Sequence, residues 1–100
     1  MEAVIVPFRD RGAEDVFDGR ASKAAHKACP RPLWPVARRK LDQVNRVSRL
    51  LDLAVPPGNQ LESLKRDRVG QHSIRINDQY RICFRWEAGD AYEVEITNYH

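Results

Sequence analysis

Apolar residues recur at helical spacing in the first half of the chain. The clearest pattern is a stripe with intervals of three or four residues, formed by Leu33, Ala37, Leu41, Val44 and Val47. This spacing predicts a helix with one buried side, and Pro35 falls in its first turn, where a missing N–H costs no hydrogen bond. A shorter helix is predicted from Arg11 to Gly19, because glycine often ends a helix in the left-handed conformation. A further short helix is predicted over 48–53, capped by Ser48.

The last third of the chain alternates between apolar and polar residues, which is typical of strands buried on one side. Strands are predicted over 73–76, 80–86 and 91–98, with a tight turn at Asn77-Asp78 between the first two. On the middle strand, the alternation assigns one face to Arg81, Cys83 and Arg85. On the last strand, it assigns the apolar face to Tyr92, Val94 and Ile96.

Helices that precede an antiparallel meander predict an α+β domain of two layers. The β-branched run Val4-Ile5-Val6, stopped by Pro7, adds an N-terminal strand to this expectation. We therefore expect this strand and the helices to pack on one face of a small, mainly antiparallel C-terminal sheet. The other face is expected to be open and to carry arginines. A chain of 100 residues can build one core, so we expect a single domain over residues 1–100.

The composition excludes several classes of protein. With 42% hydrophobic and 31% charged residues, the chain is typical of a folded domain rather than a disordered one. Its apolar runs are far shorter than the ~20 residues that span a bilayer, and no leader-like segment opens it. We therefore expect a cytoplasmic protein that binds no membrane. The two cysteines, 29 and 83, form no metal motif, and no phosphate-binding glycine loop is present, so neither a metal nor a cofactor is expected.

The net charge of +3 is distributed unevenly along the chain. Residues 31–86 carry 12 basic and 5 acidic side chains, whereas residues 87–100 carry 4 acidic side chains and no lysine or arginine. A basic centre favours a polyanion such as RNA or DNA, because each neutralised phosphate releases counterions. Ordinary solubilising charge is the alternative explanation.

Candidate phosphate-binding residues lie on the predicted open face of the sheet or in its turns. They are Lys65, Arg68, Arg75, Arg81 and Arg85. Arginines on strands suit phosphate binding because the sheet holds them in place. His72, just before a strand, is a candidate for stacking on a base or for a half-buried spacer.

Cross-strand ion pairs are the alternative role for these cations. Arg81 and Arg85 can pair with Glu93 and Glu95 on the neighbouring strand. Lys65 and Arg68, in contrast, have no evident local partner except the aspartate between them.

The chain ends in Asn98-Tyr99-His100. An imidazole titrates near ~6.5, which suits proton transfer near neutral pH. If the last strand is docked, Tyr99 and His100 lie at a sheet edge near the turn that contains Lys65. A frayed tail without function is the alternative.

Two long segments carry a resemblance to a known family. The segment PPGNQLESLK from Pro56 to Lys65 and the segment from Asp67 to Phe84 resemble the host-inhibition-of-growth (HigB-type) toxins, also called plasmid-maintenance killer proteins. These toxins belong to the RelE-like superfamily of type II toxin–antitoxin systems. Residues 5–8 and the ending from Val94 to His100 match as well, so the resemblance covers nearly the whole chain.

The resemblance implies a microbial RNase fold with helices on one face of a short sheet. It also implies an endonuclease that cuts mRNA at the ribosomal A site, by metal-free attack of a ribose 2′-OH, and so inhibits translation and growth. The implied partners are the ribosome, mRNA and a helix-turn-helix antitoxin that neutralises the toxin. Complexes of this kind commonly repress their own operon, which adds operator DNA as a partner through the antitoxin.

The resemblance also implies roles for individual residues. Lys65 and Arg81 match cations that the family uses, and Tyr99 and His100 match its C-terminal catalytic residues; Arg68 is a second-tier phosphate contact. Glu62 stands where some relatives have histidine, so it is either a candidate base or a position without a catalytic role. Many relatives have Asp where this chain has Asn98, and an amide cannot accept a proton as a carboxylate does. The alternative function is therefore a weak or inactive toxin that serves as an antitoxin-binding co-repressor on operator DNA.

Overall fold

The structure is a computed structural model, and it describes residues 8–98 of the 100-residue chain. The predicted strand over Val4-Ile5-Val6 lies outside the described residues, as do Tyr99 and His100. Between residues 8 and 98, no helix has the length and apolarity needed to cross a membrane.

Three α-helices form the first half of the described chain. They are α1 (Arg11–Asp18), α2 (Lys23–Ala28) and α3 (Trp34–Arg46). Asp10 caps α1 by accepting a hydrogen bond from the Gly12 N–H at 2.9 Å, and Gly19 ends it with a left-handed φ of 79°. The predicted stripe of α3 is confirmed, since Ala37, Leu41 and Val44 are fully buried.

The prediction of a helix over 48–53 capped by Ser48 was wrong in detail. A 3-10 helix spans Leu50–Ala54 instead, preceded by Arg49, whose side chain makes no capping bond. The Asp52 N–H donates to the Arg49 carbonyl, the i to i+3 bond that defines this tighter turn. Leu53 is fully buried and anchors the segment below α3.

Four antiparallel strands follow in the order β1-β2-β3-β4. They are β1 (Glu62–Ser63), β2 (Gln71–Arg75), β3 (Tyr80–Glu87) and β4 (Asp90–Asn98). The turn between β2 and β3 contains Asn77-Asp78 as predicted, but it is a loop over 76–79 rather than a tight turn of two residues. The Asn77 carboxamide oxygen accepts hydrogen bonds from the N–H groups of Gln79 and Tyr80 at 2.9 and 2.8 Å. Phe8 adds a parallel bridge to β4 at Val94.

A bulge in β4 changes which side chains reach the core. Cys83 lies opposite Glu95 but Arg85 lies opposite Tyr92, so β4 has one more residue than β3 in this interval. Glu93 takes the extra position with a φ of 50°. Ala91 is therefore fully buried, while Tyr92 is only half-buried. The assignment of Tyr92 to the apolar face was wrong because strict alternation does not account for an inserted residue.

The helices pack on one face of the sheet and share a single hydrophobic cluster with it. This confirms the predicted α+β arrangement of helices on a small antiparallel sheet. The opposite face is not open along its centre, as we expected from the alternation. Ser73 and Cys83 are fully buried there, and Arg81 is 8% exposed. Polar side chains of neighbouring strands and turns cover the middle of this face, and some of them contact the Arg81 guanidinium.

Candidate functional site

Arg81 is the most tightly held cation on the polar face of the sheet. Its Nε donates to the hydroxyl of Ser73 at 2.8 Å, and its Nη2 donates to the carbonyl of Gln60 at 2.6 Å. The same Nη2 lies 3.0 Å from a carboxylate oxygen of Glu62. Strand β3 thus supplies the guanidinium, and β1, β2 and the turn before β1 fix its orientation.

Glu62 and Lys65 differ in their side-chain contacts. Glu62 lies on β1 opposite Ser73, and its side chain is 55% exposed despite the ion pair with Arg81. Lys65 is exposed at the start of the 3-10 turn Arg66–Arg68, where its carbonyl accepts a hydrogen bond from the Arg68 N–H at 3.2 Å, and its side chain makes no hydrogen bond or ion pair with the residues of 8–98. The structure therefore brings Glu62 and Arg81 into contact, while the Lys65 ammonium stays available to a ligand.

Arg68 has partners that the sequence did not suggest. Its Nη1 lies 3.2 Å from a carboxylate oxygen of Glu95 and donates to the side-chain oxygen of Gln71 at 3.0 Å. The same oxygen of Glu95 lies 3.7 Å from Arg9. The sequence offered Arg68 no evident local partner except an aspartate, and its carboxylate partner is a distant residue, Glu95, which β4 brings back to this turn.

The other arginines are also paired with carboxylates. Arg85 donates to Glu93 at 2.7 Å, which confirms one of the two cross-strand pairs considered. Arg75 pairs with Asp78 in the loop that follows it. The second cross-strand pair is not formed as expected, since the carboxylate on Arg81 belongs to Glu62.

His72 lies half-buried on the side of β2 that faces the core. Its ring is 6.1 Å from that of Phe84, and its Nδ1 is 3.3 Å from the hydroxyl of Ser63. Burial lowers the pKa of the His72 imidazole below its ordinary value. The neutral ring therefore dominates at neutral pH, and it fits the interpretation of a half-buried spacer.

The predicted cationic face is thus a set of ion pairs. Arg68, Arg75, Arg81 and Arg85 each have a carboxylate within 3.2 Å. A pair that is exposed on both sides, such as that of Arg85 and Glu93, contributes only about 0–1 kcal/mol to stability, so an incoming phosphate can replace the carboxylate at little cost. The guanidinium of Arg81 is nearly buried, so only another anion can take the place of its carboxylate. Phosphate binding at Arg81 would have to displace Glu62, which is the more exposed partner of that pair.

Asn59 is a structural residue for which the sequence predicted no role, although it lies in the segment from Pro56 to Lys65 that resembles the family. It is fully buried, and its amide nitrogen donates to the carbonyl of Leu53 and the side-chain oxygen of Gln43, both at 3.0 Å. Its side-chain oxygen accepts a hydrogen bond from the Lys40 ammonium at 2.7 Å. The next residue, Gln60, supplies the carbonyl that holds Arg81. The signal that could have identified Asn59 was its place in the family-like segment, directly after Pro56-Pro57-Gly58.

We predict that Asn59→Ala lowers the free energy of unfolding by about 2–3 kcal/mol, because it leaves buried acceptors without a donor. Urea denaturation of the two proteins measures this difference. Asn59→Asp is the matched variant, since it keeps the acceptor for Lys40 but cannot donate to Leu53 or Gln43. A loss below about 0.5 kcal/mol in both variants, as expected for ordinary surface positions, would contradict this role.

Strand β4 ends at Asn98, which lies opposite Tyr80 and lines a cleft with it on the helix-facing side of the sheet, the side away from the Arg81 side chain. Asn98 is exposed. The assignments of Tyr99 and His100 fall outside the described residues and stay predictions. Within residues 8–98, no group of three His, Cys, Asp or Glu side chains could hold a metal ion.

Comparison with known proteins agrees with the resemblance seen in the sequence. The family model of the RelE-like toxin of type II toxin–antitoxin system HigB matches residues 7–100. This chain belongs to that family. The toxin is 33% identical over 84 residues to Toxin HigB-1 of Vibrio cholerae, which covers 84% of this chain and 85% of that relative.

Two further comparisons concern a nuclease and a solved structure. The toxin is 32% identical over 71 residues to Endoribonuclease HigB of Proteus vulgaris, covering 65% of this chain and 77% of that protein. The solved YoeB/ParE toxin from Agrobacterium tumefaciens covers 97% of this chain and 99% of its own, at 15% identity and a TM-score of 0.47. As a type II toxin, this protein has a cognate antitoxin.

Proposed function

We propose that this toxin is an endoribonuclease that cuts mRNA on the ribosome in the cytoplasm, without a metal, and so inhibits translation and growth. The observation that carries the proposal is the Arg81 guanidinium, which is held by Ser73 and Gln60 and paired with a replaceable carboxylate, that of Glu62. Membership in a family that includes a protein named an endoribonuclease supports the same conclusion.

The proposed reaction is an attack of a ribose 2′-oxygen on the adjacent phosphorus. The 2′-OH loses its proton to a base, a bond forms from O2′ to phosphorus, and the bond to O5′ breaks. The products are a 2′,3′-cyclic phosphate and a 5′-hydroxyl, which takes its proton from an acid. The transition state carries extra negative charge on the phosphoryl oxygens, so fixed cations accelerate the step.

Arg81 and Lys65 would hold the scissile phosphate, one as a fixed guanidinium and the other as a mobile ammonium. Tyr99 and His100 would handle the protons at O2′ and O5′. The secondary phosphate and RNA contacts would come from residues along the same face and its turns: Arg68, Arg75 and Arg85. His72 is not among them, because its side chain lies on the other side of β2, against Phe84.

Glu62 gains a defined role from its contact with Arg81. A phosphate that binds the Nη2 of Arg81 takes the place of the Glu62 carboxylate, which lies 3.0 Å away in the free protein. The displaced carboxylate stays beside the phosphate, where it can accept a proton. Glu62 would thus pair with Arg81 until RNA binds and serve as a second candidate base once the phosphate has displaced it.

Induction of the toxin with and without its antitoxin tests this function in cells. We propose that the antitoxin is a helix-turn-helix protein and that the complex of both binds operator DNA. Induction of the toxin alone should stop growth, and co-expression of such a protein from the adjacent reading frame should restore it. Normal growth on induction of the toxin alone would contradict the proposal.

The alternative, a weak toxin that serves mainly as a co-repressor, rests on Asn98. We predict that Asn98→Asp raises the rate of mRNA cleavage by roughly tenfold or more, because a carboxylate directly before Tyr99 and His100 would assist these proposed proton-transfer groups, and such groups contribute about 10²–10⁴-fold. Asn98→Ala is the control and should give no gain. Equal cleavage rates for the wild type and Asn98→Asp would mean that the amide does not limit the toxin.

A further inference from the structure

A cleft of about 380 Å³ lies between α3 and the turn that precedes β1. Arg39, Lys40 and Gln43 line it on the helix side, and Pro56 and Asn59 line it on the side of the turn. None of the residues assigned to the site above lies in this cleft. The cleft is nevertheless joined to the site, because Asn59 is followed directly by the residue whose carbonyl holds Arg81.

The cleft carries positive charge that carboxylates of the described chain do not balance. Arg46 also lines it, but its Nε is paired with Asp42 at 2.9 Å, so these two charges cancel. Arg39 and Lys40 form no ion pair with the residues between 8 and 98. Lys40 is half-buried and donates its one recorded hydrogen bond to the neutral amide oxygen of Asn59.

Lys40 is also electrostatically close to the candidate site. Burial lowers the pKa of its ammonium, and the positive charges of Arg39, Arg75 and Arg81 lower it further. A partly buried ammonium that faces other cations without a carboxylate is costly in the free protein. A bound anion would relieve this repulsion.

Two consecutive residues, Asn59 and Gln60, hold the side chains of Lys40 and Arg81. The Asn59 side chain accepts the Lys40 hydrogen bond at 2.7 Å, and the Gln60 carbonyl accepts the Arg81 hydrogen bond at 2.6 Å. The fully buried Asn59 is itself tied to Leu53 and Gln43. The relative position of the two cations is therefore set by a rigid turn rather than by flexible side chains alone.

We propose that this cleft is a second phosphate subsite, in which Lys40 and Arg39 bind a phosphate of the same RNA strand whose scissile phosphate Arg81 holds. The inference rests on the proposed function and extends it from one phosphate to a path along the strand. A nucleic acid strand fits better than an acidic peptide, because the two subsites are joined by one turn and a polynucleotide presents phosphates at regular intervals.

Binding of a non-cleavable RNA as a function of salt tests the subsite. The probe is a short single-stranded RNA with 2′-O-methyl riboses, titrated with the full chain and followed by fluorescence anisotropy. Each phosphate contact contributes about 0.7 to the slope of log K against log salt for single strands. We expect Lys40→Gln to reduce the slope by about 0.7 and Lys40→Arg to keep it.

The control is Lys27→Gln, which removes the same charge from an exposed position on α2, away from the cleft. It should keep the wild-type slope, and urea denaturation should show that all variants are folded. Side-chain NMR of the Lys40 ammonium supplies a second readout: the pKa of Lys40 should rise when the RNA is added, because the phosphate favours the charged form.

Three outcomes would overturn the subsite. They are a wild-type slope in Lys40→Gln, no measurable binding of this RNA to the wild type at low salt, and a loss of affinity for the antitoxin but not for RNA. The probe cannot be cut, so its binding does not depend on nuclease activity. Failure of the proposed function would show separately, as absence of mRNA cleavage by the wild type on ribosomes.

Discussion

Arg81→Ala should reduce ribosome-dependent mRNA cleavage by about 10²–10³-fold, the range found when a fixed donor to a charged transition state is removed. The wild-type guanidinium is held by Ser73 and Gln60, so it stays in place when the phosphate replaces Glu62 and charge develops on the phosphoryl oxygens. Induction of the variant should then no longer stop growth. Single-turnover cleavage of an mRNA on programmed ribosomes measures the rate directly.

The position of Arg81 makes controls for folding necessary. The side chain is 8% exposed, and its loss leaves the fully buried Ser73 hydroxyl without this donor. Arg81→Lys keeps the charge but not the planar set of donors, and we expect it to restore only part of the rate. Arg75→Ala, on the facing position of β2, should cost much less. Full cleavage by a folded Arg81→Ala protein would exclude the phosphate role.

Deletion of Tyr99 and His100 should lower cleavage by about 10²–10⁴-fold, the contribution of general acid–base groups. The deletion leaves β4 intact up to Asn98, so we expect the fold and antitoxin binding to survive. Growth inhibition should be lost while the toxin still forms a complex with its antitoxin. Cleavage assays and co-purification with the antitoxin measure these two properties separately.

Single substitutions divide the effect between the two residues. Tyr99→Phe removes only the hydroxyl, and His100→Ala removes the imidazole. The variant that lacks the dominant proton-transfer group should approach the rate of the deletion, whereas the other should retain more activity. Cleavage by the deletion variant at the wild-type rate would mean that the chain end is a tail without a catalytic role.

Much of the fold follows from local patterns in the sequence. The stripe of α3 is set by helical periodicity, and Leu41 is fully buried as the pattern requires. Gly19 ends α1 because only a residue that tolerates a left-handed backbone suits that position. The facing pair Ile74 and Ile82 follows from alternation on two strands joined by a short loop.

The sequence could not reveal features that depend on one extra residue or on distant contacts. The bulge at Glu93 moved Ala91 into the core in place of Tyr92, although the local pattern contains no signal for it. The pair between Arg68 and Glu95 joins positions 27 residues apart and depends on the return of β4. This pair and those of Arg75, Arg81 and Arg85 place a carboxylate beside each arginine of a face that the sequence predicted to be open and basic.

The candidate site was predictable in its residue types but not in its geometry. The family resemblance identified Arg81 and Glu62, but nothing in their spacing showed that they form an ion pair across β1 and β3. Asn59 was part of the matching segment, yet its role as a buried link between Lys40 and the turn that holds Arg81 required the structure. Local propensity identifies elements, whereas a site depends on side-chain contacts between them.

The measurement that tests the central claim most directly is cleavage of a defined mRNA by the purified toxin, with and without ribosomes and in the presence of EDTA. We predict cuts only when ribosomes are present, with 2′,3′-cyclic phosphate and 5′-hydroxyl ends that Arg81→Ala abolishes. Rapid cleavage of naked RNA would instead indicate a general nuclease. No cleavage with active ribosomes, or products that carry a 5′-phosphate, would contradict the proposed reaction.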